Sequence, residues 1–296
     1  MMWDQAEKLR KMVKVIPSKP QSAVIKANHS KARVIAVTSG KGGVGKTNFT
    51  VNLAIALAKL EKKVLIIDAD LGMGNVDVVL GCSAPYNILH LLEGGFSLND
   101  IIIEGPLGIK FIAGGSGIHK LTNLTNLQLA HIVNQLTLLD NWAEIILIDT
   151  GAGINQNVMN FVIAADEVII VTTPEPTAIT DAYAMMKTFV HHRGTGILRL
   201  VVNRVVEVDE GKIATDKLVK VALDFLNLSL TSLGTVSEDS NLIRAVKKQM
   251  PLLLAFPTTI SAHCIEKIAT RLLYGKNSKR SNGIRGFFDK LVGLMQ

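Results

Sequence analysis

Apolar residues fall into two rhythms along this chain. Short runs rich in Val, Ile and Leu, interrupted only by Arg199 and opened in three cases by a charged residue (Lys63, Glu144, Glu167), occupy 34–37, 63–67, 144–148, 167–171 and 198–202, and each gives way to Thr, Asp or Asn. Such runs predict strands buried on both faces of a parallel sheet. Between them, apolar positions recur three and four apart. Val51, Leu53, Ala54, Leu57, Ala58 and Leu60 follow the first run, and similar stripes cover 124–139, 177–190, 211–226, 239–249 and 258–274. These predict helices with one face turned inward. A short helical stretch around Ile88, Leu89, Leu91 and Leu92 precedes a strand at 109–113, and 228–236 supplies another. Strand and helix alternate almost throughout. That predicts an α/β fold, a mostly parallel twisted sheet flanked by helices on both faces.

The two ends break this rhythm and divide the chain into 1–31, 32–275 and 276–296. In the first, Trp3, Ala6, Leu9 or Arg10, and Val13 share one side of a short helix, and Pro17 and Pro20 then open a polar linker. In the last, a basic hinge leads into a stripe of Ile284, Phe287, Phe288, Leu291, Leu294 and Met295, with Val292 beside it. The stripe fits either a helix docked on the domain or one lying in a lipid interface, and the cations before it favour lipid.

Charge sharpens that division. The chain of 296 residues carries a net +7, but residues 1–31 hold +5 and residues 276–296 hold +4, leaving the middle near −2. Terminal arms touching anionic surfaces fit this better than a basic body gripping DNA, so no direct DNA binding is expected. The two cysteines, Cys82 and Cys264, lack metal-type spacing, and no apolar run is long enough to span a bilayer. A cytoplasmic protein with reduced thiols is the expectation. The adjacent His191 and His192 read as a solvated helix end rather than a metal site, since neighbours on a helix do not face each other.

The chemistry concentrates where the first strand ends. Gly40-Lys41-Gly42-Gly43-Val44-Gly45-Lys46-Thr47 fits G-x-x-x-x-G-K-[ST] between a strand and a helix. Glycines let successive N–H groups turn inward around phosphate, and the helix N-terminus adds its positive dipole end. In such a loop Lys46 reaches the β- and γ-phosphates, Thr47 sits on Mg²⁺, and Asn48 follows in the first helical turn. Two further strands end in carboxylates, Asp68 with Asp70 and, about a hundred residues past the loop, Asp149. A buried strand ending in Asp can accept from Mg²⁺-bound water. Gly151, in the turn after Asp149, can offer its N–H to the γ-phosphate. The cofactors expected are ATP or ADP and Mg²⁺.

Lys41, just after the first glycine, makes the loop KGGVGKT. Here the chain resembles the MinD/ParA group of P-loop ATPases, in which that lysine contacts phosphate across a nucleotide-sandwich dimer. The resemblance implies that Asp70 is the switch aspartate that positions the attacking water and the metal shell, with Asp68 behind it. It makes Asn203 the reader of the adenine edge, with Arg204 beside it. An amide that both donates and accepts suits that edge. Val236-Ser237-Glu238-Asp239 is similar to the group's V-P-E-D segment, with serine for proline.

Asp4-Gln5-Ala6-Glu7-Lys8-Leu9-Arg10 resembles the DQAxxLR element of the FlhG/FleN/YlxH flagellar-number ATPases, where it stimulates an FlhF-type GTPase. Carried over, Gln5 is the group near the partner's nucleotide, and Asp4, Leu9 and Arg10 are its docking neighbours. The tail likewise resembles that family's membrane-targeting helix, which makes Ile284, Phe287, Phe288, Leu291 and Val292 its lipid-facing set. The resemblance thus implies an ATPase with Lys41, Lys46 and Asp70 in catalysis, and Thr47, Asp70 and Asp149 around the metal. It also implies an ATP-dependent homodimer, reversibly peripheral on the inner face of the cytoplasmic membrane, with basal-body switch proteins as partners. Turnover should be slow and concentration-dependent. A MinD-type division-site regulator, a ParA-type partition ATPase and a non-hydrolytic nucleotide-gated scaffold are the alternatives. Nitrogenase-type iron proteins would need cysteine ligands that this chain lacks.

Overall fold

The computed structural model describes residues 31–70, 74–93, 95–114, 124–275 and 281–295. The element at residues 4–10 lies outside them. Eight strands form one sheet in the order β3-β4-β2-β5-β1-β6-β7-β8. They are β1 (Arg33–Ser39), β2 (Val64–Ala69), β3 (Ile102–Glu104), β4 (Lys110–Ile112), β5 (Ile145–Ala152), β6 (Glu167–Thr172), β7 (Ile197–Val205) and β8 (Thr231–Ser237). All neighbours run parallel except β3, which pairs antiparallel with β4. β3 is three half-exposed or exposed residues long, too short to show a rhythm in the sequence, so it was not predicted.

The central strand β1 lies between β5 and β6, and all of its residues after Arg33 are buried. The apolar runs are therefore core strands covered on both faces, as their near-continuous apolar character predicts. On one face, α1 (Lys46–Lys59) and α8 (Ile260–Tyr274) cover the sheet. On the other lie α3 (Asn126–Thr137) and α4 (Gln156–Ala164). Between β1 and β2 the chain crosses past the later-inserted β5, and β6 departs to the other side. That reversal opens a crevice at the carboxyl ends of the strands, where ligands of such sheets bind.

The tail lies against this body. Helix α9 (Gly283–Met295) buries Ile284, Phe287, Phe288 and Leu291 against α3 and α4, with Phe287 stacked on Phe161 at 6.3 Å between ring centres. Val292 is half-buried at its side. The docked arrangement is thus the one observed, and the stripe assigned to lipid is turned into the protein. Burying each of these side chains contributes about 1.5–3 kcal/mol, offset by the cost of ordering the helix. Two carboxylates fix its start: Asp140 Oδ1 accepts from Ile284 N at 3.0 Å, and Asp166 holds Ser281 and Asn282. No described helix is long and apolar enough to cross a membrane.

Candidate functional site: a nucleotide-binding crevice

The loop between β1 and α1 carries the glycines for a structural reason visible at two positions. Gly45 caps α1 at φ 86°, in the left-handed region, and a Cβ there would lie 2.5 Å from Asn203 Nδ2. Gly40 lies against the backbone carbonyl of Asp181, leaving no room for a side chain. Asn203 Nδ2 donates to Val44 O at 2.8 Å, so the end of β7 is tied directly to the loop.

Lys46 is buried, and its Nζ lies 3.0 Å from Asp149 Oδ1. The same carboxylate accepts from Thr47 Oγ1 at 2.7 Å and faces Thr50 Oγ1 at 2.8 Å. Thr50 sits one helical turn after Lys46; only that spacing could have revealed it in the sequence. Asp68 and Asp149 are register partners on β2 and β5, so two carboxylates stand side by side in the core. Burial, helped by the Asp149 charge, pushes the Asp68 carboxyl up to about 6, against hydrogen bonds from the Asp70 and Val76 N–H groups and the pull of Lys46. Those two bonds, 3.0 and 3.3 Å, tie the Asp68 carboxylate to the backbone at Asp70 and Val76. A Cβ on Gly151 would come within 3.6 Å of Asp70 Oδ1, so the end of β5 meets the residue that follows β2.

Lys41 is placed differently from Lys46. Its Nζ reaches Glu175 Oε2 at 3.1 Å and Thr177 Oγ1 at 3.0 Å, at the start of α5 (Pro176–His191) on the same chain. It is half-exposed at the rim and rests here within its own subunit. Neither holding residue was singled out in the sequence, where Pro174 and Pro176 mark only a stiff turn.

Beside the loop, a pocket is lined by Asn48, Phe49, Asn203, Arg204, Ser237 and Ile243 among others. Arg204 adopts φ 58° and its Nε donates to Glu238 Oε2 at 2.9 Å, so it forms a wall fixed by an ion pair. Asp239 caps the helix Ser240–Lys247 and accepts from Ser261, a polar tie that the sequence did not disclose. The paired His191 and His192 are exposed at the end of α5.

The donors fit Mg²⁺ and a triphosphate. Thr47 and Asp149 provide hard oxygens beside Lys46, and no cluster of three His, Cys, Asp or Glu among the described residues forms an all-protein metal cage. Mg²⁺ in phosphoryl-transfer sites is held by one or two such oxygens together with phosphate. When bound, it neutralises phosphate charge and orders the oxygens around the γ-phosphate. The chain gathers Lys46, Thr47 and Asp149 at one point, the residues that would hold phosphate and the metal shell.

The model of the AAA domain family AAA_31 matches residues 32–195. The antiactivator FleN of Pseudomonas aeruginosa is 38% identical over 81% of this chain and 86% of its own length. The flagellum site-determining protein YlxH of Helicobacter pylori is 37% identical over 90% of this chain and 91% of its own. The chain belongs to the FleN/YlxH family of MinD/ParA-type P-loop ATPases. Among solved structures, MinD in the MinC:MinD complex of Aquifex aeolicus matches the FleN/YlxH-type chain with a TM-score of 0.66 and 28% identity, covering 85% of this chain and all of that one. MinD of Pyrococcus horikoshii with Mg-ADP matches with a TM-score of 0.65 and 26% identity, over 84% of this chain and 99% of that one. As a member of this family the protein is a nucleotide-binding ATPase.

Proposed function

We propose that this ATPase is a nucleotide-driven switch that sets the number or placement of flagella, pairing with a second copy around ATP and then releasing its tail to the membrane. The observation that carries the reading is the likeness to FleN and YlxH over most of the chain. Two features of the structure support it. Lys46, Thr47 and Asp149 are gathered for phosphate and metal, while Lys41 waits half-exposed on Glu175 and Thr177, where exchange for phosphate of a facing subunit is open to it. The apolar stripe of α9 is held inside, so lipid contact requires undocking.

Asn203, its Nδ2 fixed on Val44, keeps its carbonyl as acceptor for the adenine amino group. Arg204, paired with Glu238, lines the same pocket beside Asn203. The likeness of residues 4–10 to the DQAxxLR element supports stimulation of an FlhF-type GTPase, with basal-body switch proteins as further partners. One helix binds lipid weakly, and two presented by a dimer gain about 10²-fold or more through effective concentration. ATP binding, pairing and membrane attachment then form one linked equilibrium.

Replacing Asp70 by Ala tests the role of hydrolysis. If hydrolysis is the timer, the variant stays paired and membrane-bound with ATP, and cells carrying it lose control of flagellar number. A variant that cycles and regulates like the original refutes the timer and leaves a scaffold whose shape depends on occupancy alone.

A further inference from the structure

Helix α1 runs through the core behind the phosphate loop, and from Val51 to Leu57 its buried residues are apolar with one exception. Asn52 is 1% exposed in the middle of the helix, where asparagine is a poor helix former and an unpaired amide is costly to bury. Both ends of that amide are used. Its Nδ2 donates to Asn48 O at 2.7 Å, and its Oδ1 accepts from Leu253 N at 3.0 Å. A carbonyl only accepts and a backbone N–H only donates, so this pairing fixes which way the amide faces. The first bond stays within α1. The second joins α1 to the short helix Leu252–Ala255, with its partner 201 residues further along the chain.

The segment that Asn52 holds is a wall of the pocket beside the phosphate loop. Asn52 and Leu252 both line it, together with Asn48, Asn203, Leu242 and Ile243. Phe256, which ends the short helix, lies under Arg244 at 5.0 Å and Lys248 at 5.3 Å from its ring centre. Those cations belong to the helix Ser240–Lys247 and the residue that follows it, the element that brings Leu242 and Ile243 to the pocket. Its start is held separately, by Asp239 accepting from Ser261. Lys46, Thr47 and Asp149, by contrast, pair with one another without Asn52. We propose that Asn52 is a positioning residue for the nucleobase: it sets how far the wall at 252–256 stands from the phosphate-loop helix, and so the width of the slot beside Asn203, while leaving the phosphate contacts alone. This rests on the reading of Asn203 as the base acceptor and deepens it.

Asn52→Thr isolates the long-range bond. A helical threonine hydroxyl donates to the carbonyl four residues back, as Thr50 does to Lys46 O at 3.0 Å, so the bond to Asn48 O has a replacement while the acceptor for Leu253 N is lost. Full-length protein is titrated by calorimetry with Mg²⁺-ADP and with Mg²⁺-pyrophosphate, which has no base. The variant should bind ADP about tenfold more weakly and pyrophosphate within about twofold of the original, the loss of one buried hydrogen bond felt on the base side alone. Phe256→Leu, which takes the ring from under Arg244 and Lys248, should show the same split to a smaller degree and decides the matter if Asn52→Thr does not fold. ADP binding unchanged in the variants, or a loss shared equally by ADP and pyrophosphate, overturns the positioning role. Asn203→Ala checks the reading beneath it and should weaken ADP binding. If it does not, the base sits elsewhere and both readings fall; if it alone weakens ADP, the base reading stands and Asn52 only holds the fold.

Discussion

Replacing Asp166 by Ala should release the tail without touching its apolar stripe. The side chain accepts from Asn282 N at 3.3 Å and Asn282 Nδ2 at 3.2 Å, and lies 2.7 Å from Ser281 Oγ. Its backbone stays tied to the sheet through Asp166 N to Val34 O and Ile197 N to Asp166 O, both 3.0 Å, and alanine keeps these. A hydrogen bond to a charged acceptor contributes about 1.5–3 kcal/mol, but this carboxylate is partly exposed and its partners regain water on release. Taking about 2–3 kcal/mol for the set, the docked population should fall about thirty- to a hundred-and-fiftyfold relative to the released one. The loss of the bond to Val34 N falls on the body and appears separately as a lower melting temperature. Hydrogen exchange over residues 283–295, in protein without nucleotide, reads the tail directly. Protection there should drop while that of β1 and β5 holds, and nucleotide-free protein should begin to pellet with anionic vesicles. Unchanged exchange in 283–295 refutes the idea that this carboxylate latches the helix.

Other consequences follow from the crevice. Asp149→Ala leaves Lys46 buried without its partner and should cost about 3–5 kcal/mol in nucleotide-free protein, read by denaturant unfolding; a loss below about 1 kcal/mol contradicts the pairing. Gly40→Ala places a methyl group on the Asp181 carbonyl, so the loop must move from α5, and ATP affinity should fall at least tenfold in a folded protein, measured by calorimetry. Asp68 titrates near 6 when folded, against an ordinary value near 4, so the folded state binds more protons between those values. Its contribution to stability therefore declines as pH rises from about 4 through about 6, by a few kcal/mol at most, and is level above. Asp68→Asn should remove that decline in metal-free protein; a melting-temperature slope identical to the original over this range rules it out.

Much of the architecture was legible because buried parallel strands write themselves as near-continuous apolar runs. The phosphate loop was legible because its glycines are dictated by backbone geometry, as Gly45 at φ 86° illustrates. Asp68 and Asp149 were visible as strand-ending carboxylates, but not that register sets them side by side. Contacts between distant turns stayed hidden: Glu175 and Thr177 on Lys41, Ser261 on Asp239, and Asp166 on Ser281 and Asn282. No local pattern encodes these pairs, which depend on how the elements come together. The tail shows the same limit from the other side. Its amphipathic spacing was plain, yet a stripe built for an apolar surroundings suits a protein groove and a bilayer equally well. Here Phe161 and its neighbours on α3 and α4 supply the groove.

The central claim is that a triphosphate held between two copies governs where α9 sits. It is tested most directly by measuring oligomeric mass and hydrogen exchange of residues 283–295 on the same full-length sample, with ADP and then with ATP and Mg²⁺. The account predicts a monomer with a protected tail in ADP, and a dimer with an unprotected tail in ATP, both changes being lost in Lys41→Ala. A protein that stays monomeric with ATP, or that pairs while its tail remains protected, contradicts it.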